Sequence, residues 1–115
     1  MKTLKFRAHL KPLILKGEKT TTWRLFDDKN LSIGDELLFV VFETGEQFAV
    51  AKITSVRGTT MGKLTKDDWA GHEAYTSEKD RYDHYEAYYK RPVDEKSPIK
   101  IIKFKLLKKL SLNTA

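Results

Sequence analysis

Apolar and polar positions alternate over Thr3-Leu4-Lys5-Phe6-Arg7, which predicts a first strand with Leu4 and Phe6 inward. The period then lengthens. Leu10, Leu13 and Ile14 fall on one side of a short helix over His9 to Lys16, with Pro12 in its first turn and Gly17 closing it. The β-branched and aromatic run Thr20 to Leu25 predicts a second strand. Period two puts Thr20, Thr22 and Arg24 on one face and Thr21, Trp23 and Leu25 on the other. After a polar turn at Asp27-Asp28-Lys29-Asn30, the apolar run Leu37 to Phe42 predicts a strand buried on both faces. Glu43-Thr44-Gly45-Glu46 turns the chain, and Phe48 to Val56 returns with Phe48, Val50, Lys52, Thr54 and Val56 on one face.

From Gly58 onward short helical signals replace the alternation. Thr65 is the expected N-cap of a helix through Trp69, because Asp67 and Asp68 then lie in the first turn, where the helix dipole favours anions. Ser77 is expected to cap a second helix running to about Lys90. Its Tyr82, Tyr85, Tyr88 and Tyr89 recur at near-helical spacing, which favours packing against a sheet over a base-stacking platform. Pro92 to Pro98 reads as a loop. Ile99 to Leu107 is the closing strand, with Ile102, Phe104 and Leu106 inward and Lys103 and Lys105 outward. The fold class is therefore mostly β with short helices, a small barrel-like α+β domain or strongly bent sheet with helices over an open edge.

The length of 115 residues suits one domain, taken as residues 1–110 with 111–115 as a C-terminal tail. With no cysteine there is neither a disulfide framework nor a thiolate metal site. Charges interrupt Met1 to Leu10, so it has no signal-peptide h-region, and no apolar run approaches the roughly 20 residues of a membrane span. A soluble cytoplasmic protein without membrane contact is the expectation. The net charge of +6 is unevenly placed: residues 1–25 carry +6, residues 100–115 carry +5 and the stretch between carries −5. Adjacent termini would make one basic surface suited to phosphates; the alternative is ordinary surface lysine.

His9, His72 and His84 lack ligand spacing and the acids do not cluster, so no metal is expected. Phosphate-cradling and dinucleotide glycine loops are absent, and no cofactor is indicated. Chemistry is concentrated between Lys16 and Asp28, where one strand face sets two hydroxyls beside a guanidinium. The plain alternatives are that Thr20 to Thr22 are β-formers, that Arg24 pairs with Asp27 or Asp28, and that Glu73 caps a turn.

The string Gly17-x-Lys19-Thr20-x-Thr22-x-Arg24 after a short helix, followed by Gly34-Asp35, Leu64-Thr65 and Gly71-His72-Glu73, resembles the small ASCH domains, relatives of the PUA RNA-binding fold. The resemblance covers nearly the whole chain. It implies a pseudo-barrel of about five to six strands, two or three helices over a cleft, neighbouring terminal strands, and RNA or a modified nucleoside as partner of a monomer. Some bacterial proteins with this fold look like amidohydrolases that deacetylate N4-acetylcytidine through a Thr, a Lys and a Glu. Carried over, these are Thr22, Lys19 and, allowing one extra residue after Leu64-Thr65, Glu73. Thr20, Trp23, Arg24, Gly34, Asp35 and His72 become ligand contacts, although Gly34-Asp35 is equally a simple tight turn. A third possibility, RNA strand cleavage, is suggested by some family members, and nothing in the residues favours it.

That chemistry sets conditions. Lys19 can activate a Thr22 hydroxyl only as a free amine, so its pKa must fall below about 10.4, by burial or by a cation such as Arg24. A carboxylate at contact would oppose this. Glu73 is thus expected to shuttle a proton or accept from a cytosine amino group, rather than to pair directly with Lys19.

Overall fold

The computed structural model describes residues 1–27 and 29–110, so the expected tail at 111–115 and Asp28 lie outside the described residues. Five strands form one sheet: β1 (Lys2–Phe6), β2 (Thr21–Leu25), β3 (Glu36–Val41), β4 (Gln47–Thr60) and β5 (Pro98–Lys109), in the order β1-β3-β4-β5-β2. Three helices accompany it: α1 (Lys11–Leu15), α2 (Lys66–Trp69) and α3 (Glu78–Tyr89). β1 runs parallel to β3, and the other pairs are antiparallel. The sheet curls into a half-barrel, the pseudo-barrel architecture expected, with β1 and β2 as its two edges.

This order corrects one expectation. β1 and β5 are not neighbours, because β3 and β4 lie between them; β2 is the strand beside β5. Two of the C-terminal lysines are also paired with acids, Lys100 with Asp27 at 2.7 Å and Lys103 with Asp67 at 3.0 Å. Asp27 is thereby unavailable to Arg24. The strand expected over Phe48 to Val56 also runs longer than its alternation suggests. β4 continues through Thr60, paired residue by residue as far as Pro98, because β5 offers it a complete ladder. A bulge against β3, where Ala49 faces Phe39 and Gln47 faces Val40, leaves Phe48 as the extra residue, so Ala49, Ala51 and Ile53 are buried with Phe48, where simple period two would put Val50 and Lys52.

The sheet serves two cores. Inside the curl, Leu4, Phe6, Ile14, Leu37, Phe39, Phe48, Ile53, Ile102 and Phe104 pack together beneath α1. Outside it, Trp23, Leu25, Ile99 and Ile101 meet Met61, Val93 and Tyr85 of α3. β5 feeds both, with Ile101 turned one way and Ile102 the other. β2 shares this two-sided burial, and it leads Thr22 and Arg24 to the boundary between the cores.

α2 has only four residues and depends on its cap. Thr65 accepts from the Asp68 N–H, while the Asp68 carboxylate accepts from Thr65 N at 2.8 Å and from two Arg57 nitrogens at 2.9 and 2.5 Å. The Arg57 hydrogen bonds lead in holding the Asp68 carboxyl at about 2 instead of 3.8. Its stabilisation is therefore present above pH 3.8 and lost as pH falls towards 2. Asp68→Asn is expected to destabilise the fold by about 2 kcal/mol in urea unfolding at pH 7, since a buried, multiply hydrogen-bonded charge loses its strongest partner.

Candidate functional site

A cavity of about 360 Å³ opens where the two free edges of the curled sheet face each other. Thr3, Lys5, Phe6 and Arg7 from the β1 side and Lys19, Thr22 and Arg24 from the β2 side line it, with His72, Glu73 and tyrosines of α3 above. Arg24 spans the seam. Its terminal nitrogen donates to the Lys5 carbonyl at 3.1 Å, its Nε donates to Thr22 Oγ1 at 3.2 Å, and its guanidinium lies 4.7 Å from the Phe6 ring centre.

Lys19 enters from the end of α1. The turn after Leu15 places the Glu18 and Lys19 N–H groups on the Leu13 carbonyl, at 2.9 and 3.1 Å. The Lys19 side chain, only 2% exposed, then donates to Thr21 O at 2.8 Å and to Glu73 Oε2 at 2.5 Å. Burial dominates its titration and lowers the ammonium from 10.5 to about 8; Glu73 works in the opposite direction, and Arg24 adds a smaller downward push. Burial would raise the Glu73 carboxyl, but Lys19 more than offsets this and keeps it below the usual range. The expectation that Glu73 avoids direct pairing with Lys19 is thus corrected. The ion pair forms, and the amine titrates low because desolvation outweighs it.

Glu73 arrives from far along the chain by way of Gly71. The Gly71 carbonyl accepts from Thr20 N at 2.8 Å and Thr21 N at 3.1 Å, and Thr21 Oγ1 donates to Ala70 O at 2.6 Å. Next to it, His72 stacks on Trp23 with ring centres 3.7 Å apart and planes 14° apart. The His72 side chain is 1% exposed. Its Nδ1 lies 2.8 Å from the Glu73 carbonyl, which can only accept, so Nδ1 carries the proton and Nε2 faces the Tyr85 hydroxyl at 3.4 Å. Burial, aided by Lys19, lowers the imidazole to about 4. At neutral pH it is an uncharged brace between Trp23, Tyr85 and Glu73.

The fold thus brings Lys19, Thr22, Trp23, Arg24, His72 and Glu73 to one cavity. It places Thr20, Gly34 and Asp35 elsewhere. The Thr20 hydroxyl lies against Gly71, so Thr20 shares a sequence face with Thr22 but serves the strand-to-loop junction. Gly34 and Asp35 close a turn: Gly34 N donates to Ile53 O, and the Asp35 carboxylate takes Lys2 Nζ and Ser32 N at 2.7 and 2.9 Å. Sequence reasoning missed Lys5, Arg7, Lys29 and Phe42 as lining residues, since nothing local marks them. The spacing of the α3 tyrosines did carry a signal. Tyr85 is buried in the outer core, as packing requires, and with Tyr88 and Tyr89 it also walls the cavity. Among the described residues no group of three or more His, Asp or Glu side chains is placed to hold a metal ion, and no helix is long and apolar enough to cross a membrane.

No curated protein sequence matches the chain. Solved structures share its fold. Protein EF3133 from Enterococcus faecalis superposes with a TM-score of 0.77 at 13% identity, covering 95% of this chain and 77% of that one. An ASCH domain from Lactobacillus crispatus gives 0.68 at 18% identity, with 91% and 78% covered. ASCH from Zymomonas mobilis gives 0.61 at 14% identity, with 96% and 73% covered. A family model described as the ASCH domain matches residues 2–108, and the chain therefore belongs to the ASCH domain family.

Proposed function

We propose that the cleft binds RNA or a modified nucleoside, with a base between Thr22, Glu73 and the tyrosine wall and phosphates on the rim. The observation that carries this reading is the convergence of Lys5, Arg7, Lys19, Arg24 and Lys29 on one ring-walled cavity whose lining, among the described residues, includes a single carboxylate, Glu73. Concave sites of this size with a few convergent polar groups suit a small planar ligand, and the cation excess suits its phosphates. The ASCH family is generally associated with RNA binding, which agrees. Titration of labelled single-stranded RNA at two salt concentrations tests the proposal. With about three rim cations engaged, affinity is expected to fall roughly tenfold or more between about 50 and about 200 mM salt. Undetectable binding at the lower salt would exclude it.

A second reading, hydrolysis of the N4-acetyl group of acetylcytidine, is favoured by the low titration of Lys19. The free amine takes the Thr22 proton as Oγ1 attacks the acetyl carbonyl, and the C–N bond breaks as that proton passes, through the paired Glu73, to the departing N4. Water then cleaves the acetyl-threonine ester, giving acetate and cytidine. Arg24, already donating to Thr22 Oγ1, is placed to hold the developing oxyanion. Incubation with N4-acetylcytidine and chromatographic detection of cytidine is the direct assay, and absence of cytidine would leave the binding reading alone. Nothing in the geometry favours strand cleavage over these two.

A further inference from the structure

A second cavity of about 230 Å³ adjoins the first and shares Leu10, Glu73 and Tyr88 with it. Its remaining walls are unlike a packing defect. His84, Tyr75 and Tyr88 present rings to it, with the His84 centre 5.3 Å from that of Tyr75 and 6.1 Å from that of Tyr88. His84 is fixed in place: its Nδ1 lies 2.9 Å from the Asp80 carbonyl and 3.2 Å from the Asp80 carboxylate, yet the side chain remains 45% exposed. Tyr88 is the ring that lines both cavities, and Arg7 lies over it at 5.1 Å while also stacking on Phe42 at 4.0 Å. Among the described residues no carboxylate pairs with that guanidinium.

Two ring-walled hollows on either side of a tyrosine, with a cation against that tyrosine, have the layout of two consecutive nucleotides. We propose that the second cavity receives the base flanking the one held in the first, with Arg7 on the phosphodiester that joins them. The site then takes a dinucleotide step of an RNA strand rather than an isolated nucleoside. This inference rests on the nucleobase reading of the cleft. A base stacked among His84, Tyr75 and Tyr88 needs no particular sequence, because every base has a π-face; the second position is expected to be sequence-tolerant.

Calorimetric titration of five probes tests it: N4-acetylcytidine, its 3′- and 5′-monophosphates, and the two dinucleotides joining it to a second cytidine on either side. One dinucleotide is expected to bind about tenfold tighter than the better monophosphate, the scale of one stacked base. Ala74→Trp, which fills the second cavity from an exposed position, and His84→Ala, an exposed truncation, are each expected to bring that gain below about threefold without changing nucleoside affinity. Far-UV circular dichroism checks that each variant is folded. Dinucleotide affinity within threefold of the monophosphates, or a full gain surviving in both folded variants, would overturn the second subsite while leaving the cleft reading standing. Failure of every probe to bind would overturn both.

Discussion

Thr22→Ala is expected to reduce release of cytidine from N4-acetylcytidine by more than about a hundredfold while changing nucleoside affinity by less than about threefold. The hydroxyl is small, buried and already held by Arg24 Nε, so its removal takes away the proposed nucleophile and little contact surface. The pH profile separates this from a structural effect. In the proposed hydrolysis Lys19 acts as the free amine, and its pKa is lowered to about 8, so the rate should rise about tenfold per pH unit below 8 and level off above it. His72, lowered to about 4, stays neutral across that window and contributes no inflection there. Glu73→Gln should lower the rate, because the relay to N4 is lost, and move what activity remains to lower pH, because among the described residues Glu73 is the carboxylate that opposes burial of the ammonium. Undiminished turnover in Thr22→Ala would remove the nucleophile assignment, and a profile flat from pH 6 to about 9 would remove Lys19 as base.

Gly71→Ala is expected to destabilise the protein by about 3 kcal/mol and to weaken ligand binding at least tenfold. Gly71 has φ +77°, where a Cβ costs about 1–2 kcal/mol by itself. The added methyl would also stand 2.1 Å from Thr20 Oγ1 and 3.1 Å from Thr21 Oγ1. Thr20 can rotate its hydroxyl away. Thr21 is less free, since its hydroxyl donates to Ala70 O, and relief must shift the backbone that carries Glu73 towards Lys19. Gly45→Ala is the internal control: φ is +76° there, but nothing lies within 4 Å, so only the conformational cost of about 1–2 kcal/mol applies. Urea unfolding of both variants isolates the contact contribution as their difference. Equal losses would show that the Gly71–Thr20 junction does not set the loop.

These two experiments bear on different parts of the molecule's legibility. The β2 segment was readable because its chemistry is contiguous. Period two puts Thr22 and Arg24 on one face, and Lys19 lies at the bend just before that strand. The caps at Thr65 and Ser77 were equally readable, since an N-cap is a hydrogen bond to an N–H two or three residues on. Glu73 was reached only by analogy to a family, and the direct Lys19–Glu73 pair ran against the electrostatic expectation. That argument weighed the two charges and omitted the depth at which the amine sits.

What the sequence determined by itself, then, is whatever depends on neighbours a few residues apart: strand faces, helix ends, the turn at Gly34-Asp35, and the concentration of cations and hydroxyls after Gly17. Tertiary structure alone decided the rest. The curl of the sheet set edge β1 against edge β2, so that Lys5 and Arg7 face Arg24 across a seam with no counterpart in chain distance. The interposed β3 and β4 kept β1 from β5, the two terminal strands that the family resemblance implied as neighbours. The physical reason is the same in each case: periodicity fixes which way a side chain points, but only packing fixes what it meets there and how much water is left around it.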